Sequence, residues 1–157
     1  MKHITHSEKQ TYNLGKKLAK TLKGGEVLAL IGELGAGKTV LIKGIAAGLG
    51  IKQIITSPTF VLMKVYALLR TKNKKQLTIN NLVHIDCYRI KNAEEISAIG
   101  AQEYFSQKNT VVVVEWADKI KPILPRLRSS SFGGQARQKK EIKIKLIDQN
   151  TREITIK

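Results

Sequence analysis

Hydrophobic positions along the chain follow two periods, and these predict alternating helices and strands. Apolar residues at helical spacing predict helices over Glu8–Leu22, Thr39–Leu49 and Ala93–Phe105. Short and nearly continuous apolar runs predict strands over Glu26–Ile31, Phe60–Leu69, Leu82–Asp86 and Thr110–Glu115. Ser7 is suited to cap the first helix, Gly50 ends the second, and Gly100 interrupts the third. The pattern indicates an α/β fold with a sheet covered by helices on both faces.

The last part of the chain has a different pattern. Glu141–Ile147 and Arg152–Ile156 alternate apolar and polar residues around DQNT, which predicts an antiparallel terminal hairpin over 141–157. The preceding segment, Arg128–Lys140, is rich in Ser, Gly and basic residues, as expected of a flexible insertion. A length of 157 residues suits one hydrophobic core, so we predict a single domain over 1–157.

Composition narrows the class of protein. A hydrophobic content of 42% and a charged content of 25% fit a soluble globular domain. No apolar run approaches the roughly 20 residues that span a bilayer, and the first residues lack the apolar segment of a secretory signal. Cys87 is the only cysteine, which excludes an internal disulfide. These features predict a cytoplasmic protein with no membrane association.

The chain is strongly basic, with a formal net charge of +16 and a pI near 10.1. Such a charge is typical of a nucleic-acid surface, and also of a lysine-rich face that is merely solvated. Aromatic residues make up only 5% of the chain, too few for a platform on which single-stranded bases stack. Charge alone therefore leaves open a solvated face, an acidic protein partner, or RNA phosphates met inside a larger complex.

The stretch GELGAGKT, Gly32 to Thr39, lies between a predicted strand and a predicted helix and matches the phosphate-binding pattern G-x-x-x-x-G-K-[ST]. Its glycines allow the backbone to curl so that N–H groups point at phosphate oxygens. The helix that follows adds the positive end of its dipole. Lys38 can bridge the β- and γ-phosphates, and the Thr39 hydroxyl can bind magnesium. The stretch therefore predicts a P-loop NTPase-type fold, with a mostly parallel central sheet.

Two acidic residues are candidates to complete the metal site that a phosphate loop requires. Asp86 ends the apolar run LVHID, and Glu115 ends the run VVVVE. Acids at the ends of strands near such a loop are suited to hold a metal or its water. We therefore predict that both carboxylates belong to the metal or water shell.

Four motifs, GELGAGKT, SPTF, HIDCYR and VVVVEW, occur in an order and at a spacing that resemble the bacterial TsaE family, also called YjeE. The resemblance runs from about Ser7 to Pro125 and resumes in the terminal hairpin. It implies a small ATPase that uses ATP and magnesium and works with TsaB and TsaD. In that family the complex installs threonylcarbamoyl on the adenosine beside the tRNA anticodon. TsaD performs the transfer, and the TsaE-like subunit hydrolyses ATP as fuel. The sequence shows no internal arginine finger, so we expect slow turnover by the isolated protein.

The resemblance also implies roles for individual residues. Catalytic roles fall to Lys38, Asp86, Glu115 and Thr59, the last as a switch-like threonine that senses the γ-phosphate. The implied metal ligands are Thr39, Asp86 and Glu115. The implied nucleotide-binding residues are Gly32, Glu33, Leu34, Gly35, Ala36, Gly37, Lys38, Thr39, Val40 and Trp116, with Ser7, Glu8 and Arg152 bordering the adenine.

Two features depart from the family pattern. Cys87 stands where an apolar residue is more usual, and we interpret it as a small buried filler. The long segment Arg128–Lys140 affects the alignment of everything after it, including Arg152. Of the remaining polar residues, Arg89 is suited either to a phosphate or to a structural ion pair, and His84 is interpreted as packing.

Two other functions stay open at this point. A small-molecule P-loop kinase would pass the phosphoryl group to a second substrate, with Arg126, Arg128 and Arg137 as a phosphate lid. A basic RNA-binding module with nucleotide sensing would bind RNA in a strongly salt-dependent way.

Overall fold

The computed structural model of the chain describes residues 1–68, 79–125 and 139–157. Its strands are β1 (Lys2–Thr5), β2 (Val27–Ile31), β3 (Met63–Ala67), β4 (Asn81–Asp86), β5 (Thr110–Glu115), β6 (Lys139–Leu146) and β7 (Arg152–Ile156). Its helices are α1 (Glu8–Ala19), α2 (Lys38–Leu49), α3 (Glu94–Ala98) and α4 (Ala101–Tyr104), with a 3₁₀ helix over Ala117–Ile120. The strands form one seven-stranded sheet, and the predicted α/β class is confirmed.

The strand order across the sheet is β1-β7-β6-β2-β5-β4-β3. The four central strands, β6, β2, β5 and β4, run parallel to one another. The edges are antiparallel, because β7 pairs with β6 and β1 on one side and β3 pairs with β4 on the other. The carboxyl ends of β2, β5 and β4 therefore meet at one edge, where α/β folds bind their ligands.

Helices α1 and α2 cover one face of the sheet. Their side chains Leu18, Leu41 and Ile45 pack with inward residues of the strands, and all three are buried. The two helices approach closely because glycines stand at their contact: a Cβ on Gly44 would lie 2.0 Å from the carbonyl oxygen of Tyr12. Any larger residue there must push the two backbones apart.

The opposite face is covered by α3, α4 and the 3₁₀ helix. Ile96, Phe105 and Ile120 pack there against the alternate side chains of β2, β4 and β5. Gly100, with a φ of 72°, separates α3 from α4 at the predicted break. Among the described residues, every helix is too short or too polar to cross a membrane.

Several boundaries differ from the prediction. Strand β1 was missed because its sequence, KHIT, has one large apolar residue and gains its pairing from β7, at the other end of the chain. Helix α1 ends at Ala19 rather than Leu22, in a tight turn. Strand β3 starts at Met63 rather than Phe60. The residues just before Met63 form a turn, because the backbone N–H groups of Val61 and Leu62 both donate to the Pro58 carbonyl.

The predicted insertion and hairpin also shift. Strand β6 begins at Lys139, so the hairpin takes in the last two residues that we had assigned to the insertion. The rest of that segment, 128–138, lies outside the described residues, as does Leu69. The predicted lid arginines, Arg126, Arg128 and Arg137, lie outside them too.

Candidate nucleotide-binding site

The glycine loop follows β2 at the carboxyl edge of the sheet and leads directly into α2. Gly35 and Gly37 have φ values of 78° and 99°, which a residue with a Cβ adopts only under strain. These two residues let the chain turn back tightly, with the N-terminus of α2 at the end of the loop. A tight loop before a helix N-terminus presents N–H groups and a positive dipole end, which suits an anion.

Lys38 folds back over this loop. Its Nζ donates hydrogen bonds to the carbonyl oxygens of Gly32, at 2.7 Å, and Glu33, at 2.8 Å. The same Nζ lies 3.8 Å from the ring centroid of Trp116. Burial lowers the pKa of Lys38 below its ordinary value, and the negative charges of Glu115 and Asp86 oppose that shift. The ammonium group is thus held at the loop by neutral carbonyls, which an anion with a full charge can outcompete.

Glu115 connects the loop to β5. The Thr39 hydroxyl donates to both of its carboxylate oxygens, at 2.9 and 3.1 Å. His84, which is fully buried on β4, brings its Nε2 within 2.9 Å of Oε1 of the same carboxylate. Because a carboxylate only accepts, this Nε2 carries the hydrogen. Glu115 is therefore fixed from two sides, with its side chain 4% exposed.

Asp86 forms a second polar group on the neighbouring strand. Its Oδ2 accepts hydrogen bonds from the hydroxyls of Ser57 and Thr59, the latter at 2.7 Å. Its Oδ1 accepts the backbone N–H of Tyr88 at 2.9 Å. In the parallel register Asp86 stands opposite Glu115, which in turn stands opposite Leu30 at the end of β2. The sheet thus brings both predicted acids to the glycine loop.

These groups line one open cleft of about 430 Å³. Of the predicted residues, the lining includes Glu8, Leu34, Gly35, Gly37, Lys38, Thr39, Val40, Thr59, Asp86, Glu115 and Trp116. Trp116 has a left-handed backbone with φ of 57°, rare for a residue with a side chain. Its ring lies beside that of Tyr88, with 5.1 Å between the centroids. Both rings therefore lie at the cleft next to Lys38.

Five predicted residues do not line the cleft. Gly32 and Glu33 contribute the carbonyls that hold Lys38, and Ala36 is fully buried beneath the loop. Ser7 caps α1, since its hydroxyl accepts the Gln10 N–H at 3.2 Å. Arg152 lies behind the loop, where its Nε would be 3.5 Å from a Cβ on Gly37. Gly32, Glu33, Ala36 and Arg152 therefore shape or support the loop, whereas Ser7 supports the start of α1.

Five residues of the cleft or its support were not among the predicted site residues: Ser57, Phe60, Tyr88, Arg89 and His84. The signal for His84 was available, because residues two apart on a strand face the same side and Asp86 was already a candidate. Ser57 stands two residues from Thr59 in SPTF, yet only folding shows that both hydroxyls meet Asp86. Arg89 also lines the cleft, with its guanidinium 4.3 Å from the ring centroid of the exposed Phe60.

The donor set suits magnesium held jointly with a nucleotide. Thr39, Glu115 and Asp86 offer one hydroxyl and two carboxylates, the oxygen ligands that magnesium prefers. Within the described residues, no cluster of three or more His, Cys, Asp or Glu could hold a metal alone. Magnesium in such sites relies on phosphates and waters for its other ligands, so two carboxylates and a hydroxyl suffice.

Cys87 follows Asp86 but faces away from this chemistry. Its side chain is fully buried in the core between β4 and the α3–α4 layer. Burial raises the pKa of the thiol to about 12, so it stays protonated and unreactive near neutral pH.

Comparison with known proteins agrees with the geometry. A family model described as "Threonylcarbamoyl adenosine biosynthesis protein TsaE" matches residues 5–154. The chain is 35% identical to a Treponema pallidum protein named tRNA threonylcarbamoyladenosine biosynthesis protein TsaE, over 99% of each chain. It is 41% identical to the protein of that name from Bacillus subtilis, over 82% of this chain and 73% of the relative.

A solved structure is also similar. The crystal structure of Bacillus subtilis YdiB superposes with a TM-score of 0.69 at 33% identity, covering 99% of this chain and 83% of the other. The glycine loop, the two strand-end acids and the extent of these matches lead to one assignment. The chain belongs to the TsaE family.

Proposed function

We propose that the protein binds ATP with magnesium and hydrolyses it as one subunit of the machinery that installs threonylcarbamoyl on tRNA, acting with TsaB and TsaD. The observation that carries the proposal is the convergence of Lys38, Thr39, Asp86 and Glu115 on the cleft behind the glycine loop. The names of the relatives, which specify tRNA threonylcarbamoyladenosine biosynthesis, support the pathway.

The loop and Lys38 bind the triphosphate. Backbone N–H groups at the start of α2 donate to the phosphate oxygens. A Cβ added to Gly35 would meet no atom within 4 Å, so the loop leaves room for the phosphates at that point. Lys38 leaves the Gly32 and Glu33 carbonyls and donates to the phosphates, where its charge is better paired. The Lys38 ammonium group is thus hydrogen-bonded both with and without the nucleotide.

Thr39, Glu115 and Asp86 would hold magnesium, which would supply positive charge to offset the negative charge of the phosphates. As a magnesium ligand, the Thr39 hydroxyl would give up its hydrogen bonds to Glu115. Glu115 keeps its orientation through His84, which remains on the opposite side of the carboxylate. A carboxylate that is already fixed loses little entropy on binding the metal or its water.

Hydrolysis requires a water to be oriented towards the γ-phosphate. Of the carboxylates that line the cleft, Glu115 and Asp86 stand at the strand ends beside the glycine loop, and each accepts hydrogen bonds from hydroxyl groups before any ligand binds. Thr59 acts as the γ-phosphate sensor, since binding there would release its hydrogen bond to Asp86 and leave Oδ2 of that carboxylate with the Ser57 hydroxyl alone. The loop after Pro58 thus reports on the state of the nucleotide.

Stabilising the transition state also needs a cation near the γ-phosphate. Arg89 is the arginine that lines the cleft in the described part of the chain, and it is exposed and stacked on Phe60. An exposed arginine is poorly fixed for this task, so turnover by the isolated protein is slow. Partner subunits raise the rate of turnover, either by ordering the residues at the opening of the cleft or by supplying a cation.

The test compares phosphate release by the protein alone and with TsaB and TsaD, with tRNA threonylcarbamoylation measured in parallel. We expect stimulation of ATP hydrolysis by the partners and a requirement for this protein in sustained modification. Equal rates alone and in the mixture would contradict the proposed role of the partners. Transfer of the phosphoryl group to an added nucleoside or nucleotide, instead of water, would favour a small-molecule kinase.

A further inference from the structure

One face of the molecule carries basic residues with no acidic ones among them. Residues 9–25 and 34–57, which contain most of α1, all of α2 and the adjoining loops, hold no Asp or Glu. They do contain eight lysines: Lys9, Lys16, Lys17, Lys20, Lys23, Lys38, Lys43 and Lys52. Apart from Glu8 at the start of α1 and Glu33 in the glycine loop, the layer that covers one side of the sheet therefore carries charges of one sign.

The layer on the opposite side is balanced. Residues 88–125, which include α3, α4 and the 3₁₀ helix, contain five basic residues and five acidic ones. If the chain were simply rich in lysine, both layers would carry a similar net charge. Of these two layers, only the one formed by α1 and α2 has an excess of positive charge, which suggests a use for that face.

The charges on α1 form a line. Lys9, Lys16 and Lys20 are seven and four residues apart, so they lie on one stripe, separated by about 10 Å and about 6 Å along the helix. All three are exposed, and the buried Leu18 and Ala19 are on the other side. Lys17 flanks the stripe, and Lys43 is an exposed lysine of α2, one residue from the close contact at Gly44.

We name Lys9, Lys16, Lys17, Lys20 and Lys43 the lysine face. In the described ranges, none of the five forms an ion pair with a carboxylate. Like charges held together in this way repel, and the repulsion is relieved by a partner that carries a regular series of negative charges. Phosphate groups along a nucleic-acid strand are such a series.

The composition of the face favours RNA over other partners. Protein interfaces are depleted in lysine and centre on aromatic and apolar residues, whereas α1 buries its apolar side in the core. The same burial excludes a membrane-surface helix, which needs a free apolar side. Lysine binds phosphate as a point charge, without the fixed geometry that would read bases.

We propose that the lysine face binds the phosphate backbone of RNA, and in the cell that of the tRNA being modified, without reading its sequence. The identity of the RNA as tRNA rests on the proposed function, but RNA binding itself does not require ATP. The face lies on the outer surface of the α1–α2 layer, and α1 begins at Glu8, which lines the nucleotide cleft. The same helix thus contacts both the cleft and the RNA.

The test measures the affinity of the full-length, nucleotide-free protein for a tRNA transcript across a series of KCl concentrations. The variant K9Q/K16Q/K20Q removes three charges from the stripe, and K91Q/K108Q/K121Q removes three from exposed positions of the balanced layer. Glutamine has nearly the helix propensity of lysine, so folding is retained. We expect the first variant to bind about tenfold more weakly, with the slope of log K against log salt reduced by about two.

The controls separate charge from fold and from ATP chemistry. K9R/K16R/K20R keeps the charge and should bind tRNA like the wild type. ATP-analogue affinity should be unchanged in all three variants, so loss of the proposed ATPase function would not imitate loss of RNA binding. Equal weakening by both glutamine variants, or no weakening by the first, would overturn the proposal. More effective competition by polyglutamate than by RNA would assign the face to an acidic protein instead.

Discussion

Replacing Lys38 with alanine is expected to lower the affinity for ATP with magnesium by about a hundredfold or more. Hydrogen bonds to a charged partner contribute about 1.5–3 kcal/mol each, and Lys38 is placed to make two with phosphates. Trp116 is the one tryptophan in the sequence, and its ring lies 3.8 Å from Lys38 Nζ. Its intrinsic fluorescence, titrated with a non-hydrolysable ATP analogue, measures the affinity directly, with calorimetry as a check on the variant.

The matched control is Lys43→Ala, which removes an exposed lysine from the same helix, α2. It should leave nucleotide affinity unchanged. Lys38→Ala should also fold normally, because its loss frees two carbonyls of a loop that borders an open cleft. Nucleotide affinity within about threefold of the wild type for Lys38→Ala would mean that the glycine loop is not the phosphate site.

The second large effect is expected for Glu115→Gln, which keeps the shape of the side chain and removes its charge. Nucleotide binding should persist, while hydrolysis in the presence of TsaB and TsaD should fall about a hundredfold or more. The neutral amide is a poor ligand for magnesium and a poor acceptor of a proton from water. It also offers a single acceptor oxygen where the carboxylate now serves both Thr39 and His84. Single-turnover phosphate release, with ATP binding measured separately, distinguishes the two effects.

Glu103→Gln provides the control for this variant, since Glu103 is exposed on α4 and remote from the cleft. Its hydrolysis rate should match the wild type. If Glu115→Gln hydrolysed ATP at the normal rate, the Glu115 carboxylate would have only a structural role. Asp86 would then be the carboxylate that orients the attacking water. A proportional loss of binding and hydrolysis would instead limit Glu115 to holding the metal.

The sequence alone predicted those parts of the site that depend on the order of neighbouring elements along the chain. A glycine loop between an apolar strand and a helix has few possible conformations, and acids at the ends of buried strands reach the same edge of a parallel sheet. Lys38, Thr39, Asp86 and Glu115 therefore come together as predicted. The strand Thr110–Glu115 has the predicted bounds, because an uninterrupted β-branched run buried on both sides leaves little choice.

The parts that were missed depend on distant pairing. Strand β1 has almost no apolar pattern, and its hydrogen bonds come from β7 at the other end of the chain. His84 was interpreted as packing; its spacing from Asp86 puts it on the same side of β4, but only the register of β4 and β5 identifies Glu115 as its partner. Arg152 lies behind Gly37, a relation set by the hairpin and by no local signal, and its place beside the adenine stays a prediction.

A crystal structure with a non-hydrolysable ATP analogue and magnesium tests the central claim most directly. We expect the triphosphate inside the bend formed by Gly32–Thr39, with Lys38 Nζ moved from the carbonyls of Gly32 and Glu33 onto the phosphates. We also expect the Thr39 hydroxyl on the metal, released from Glu115. An empty bend, with Lys38 still bonded to those carbonyls and the nucleotide bound elsewhere, would contradict this claim.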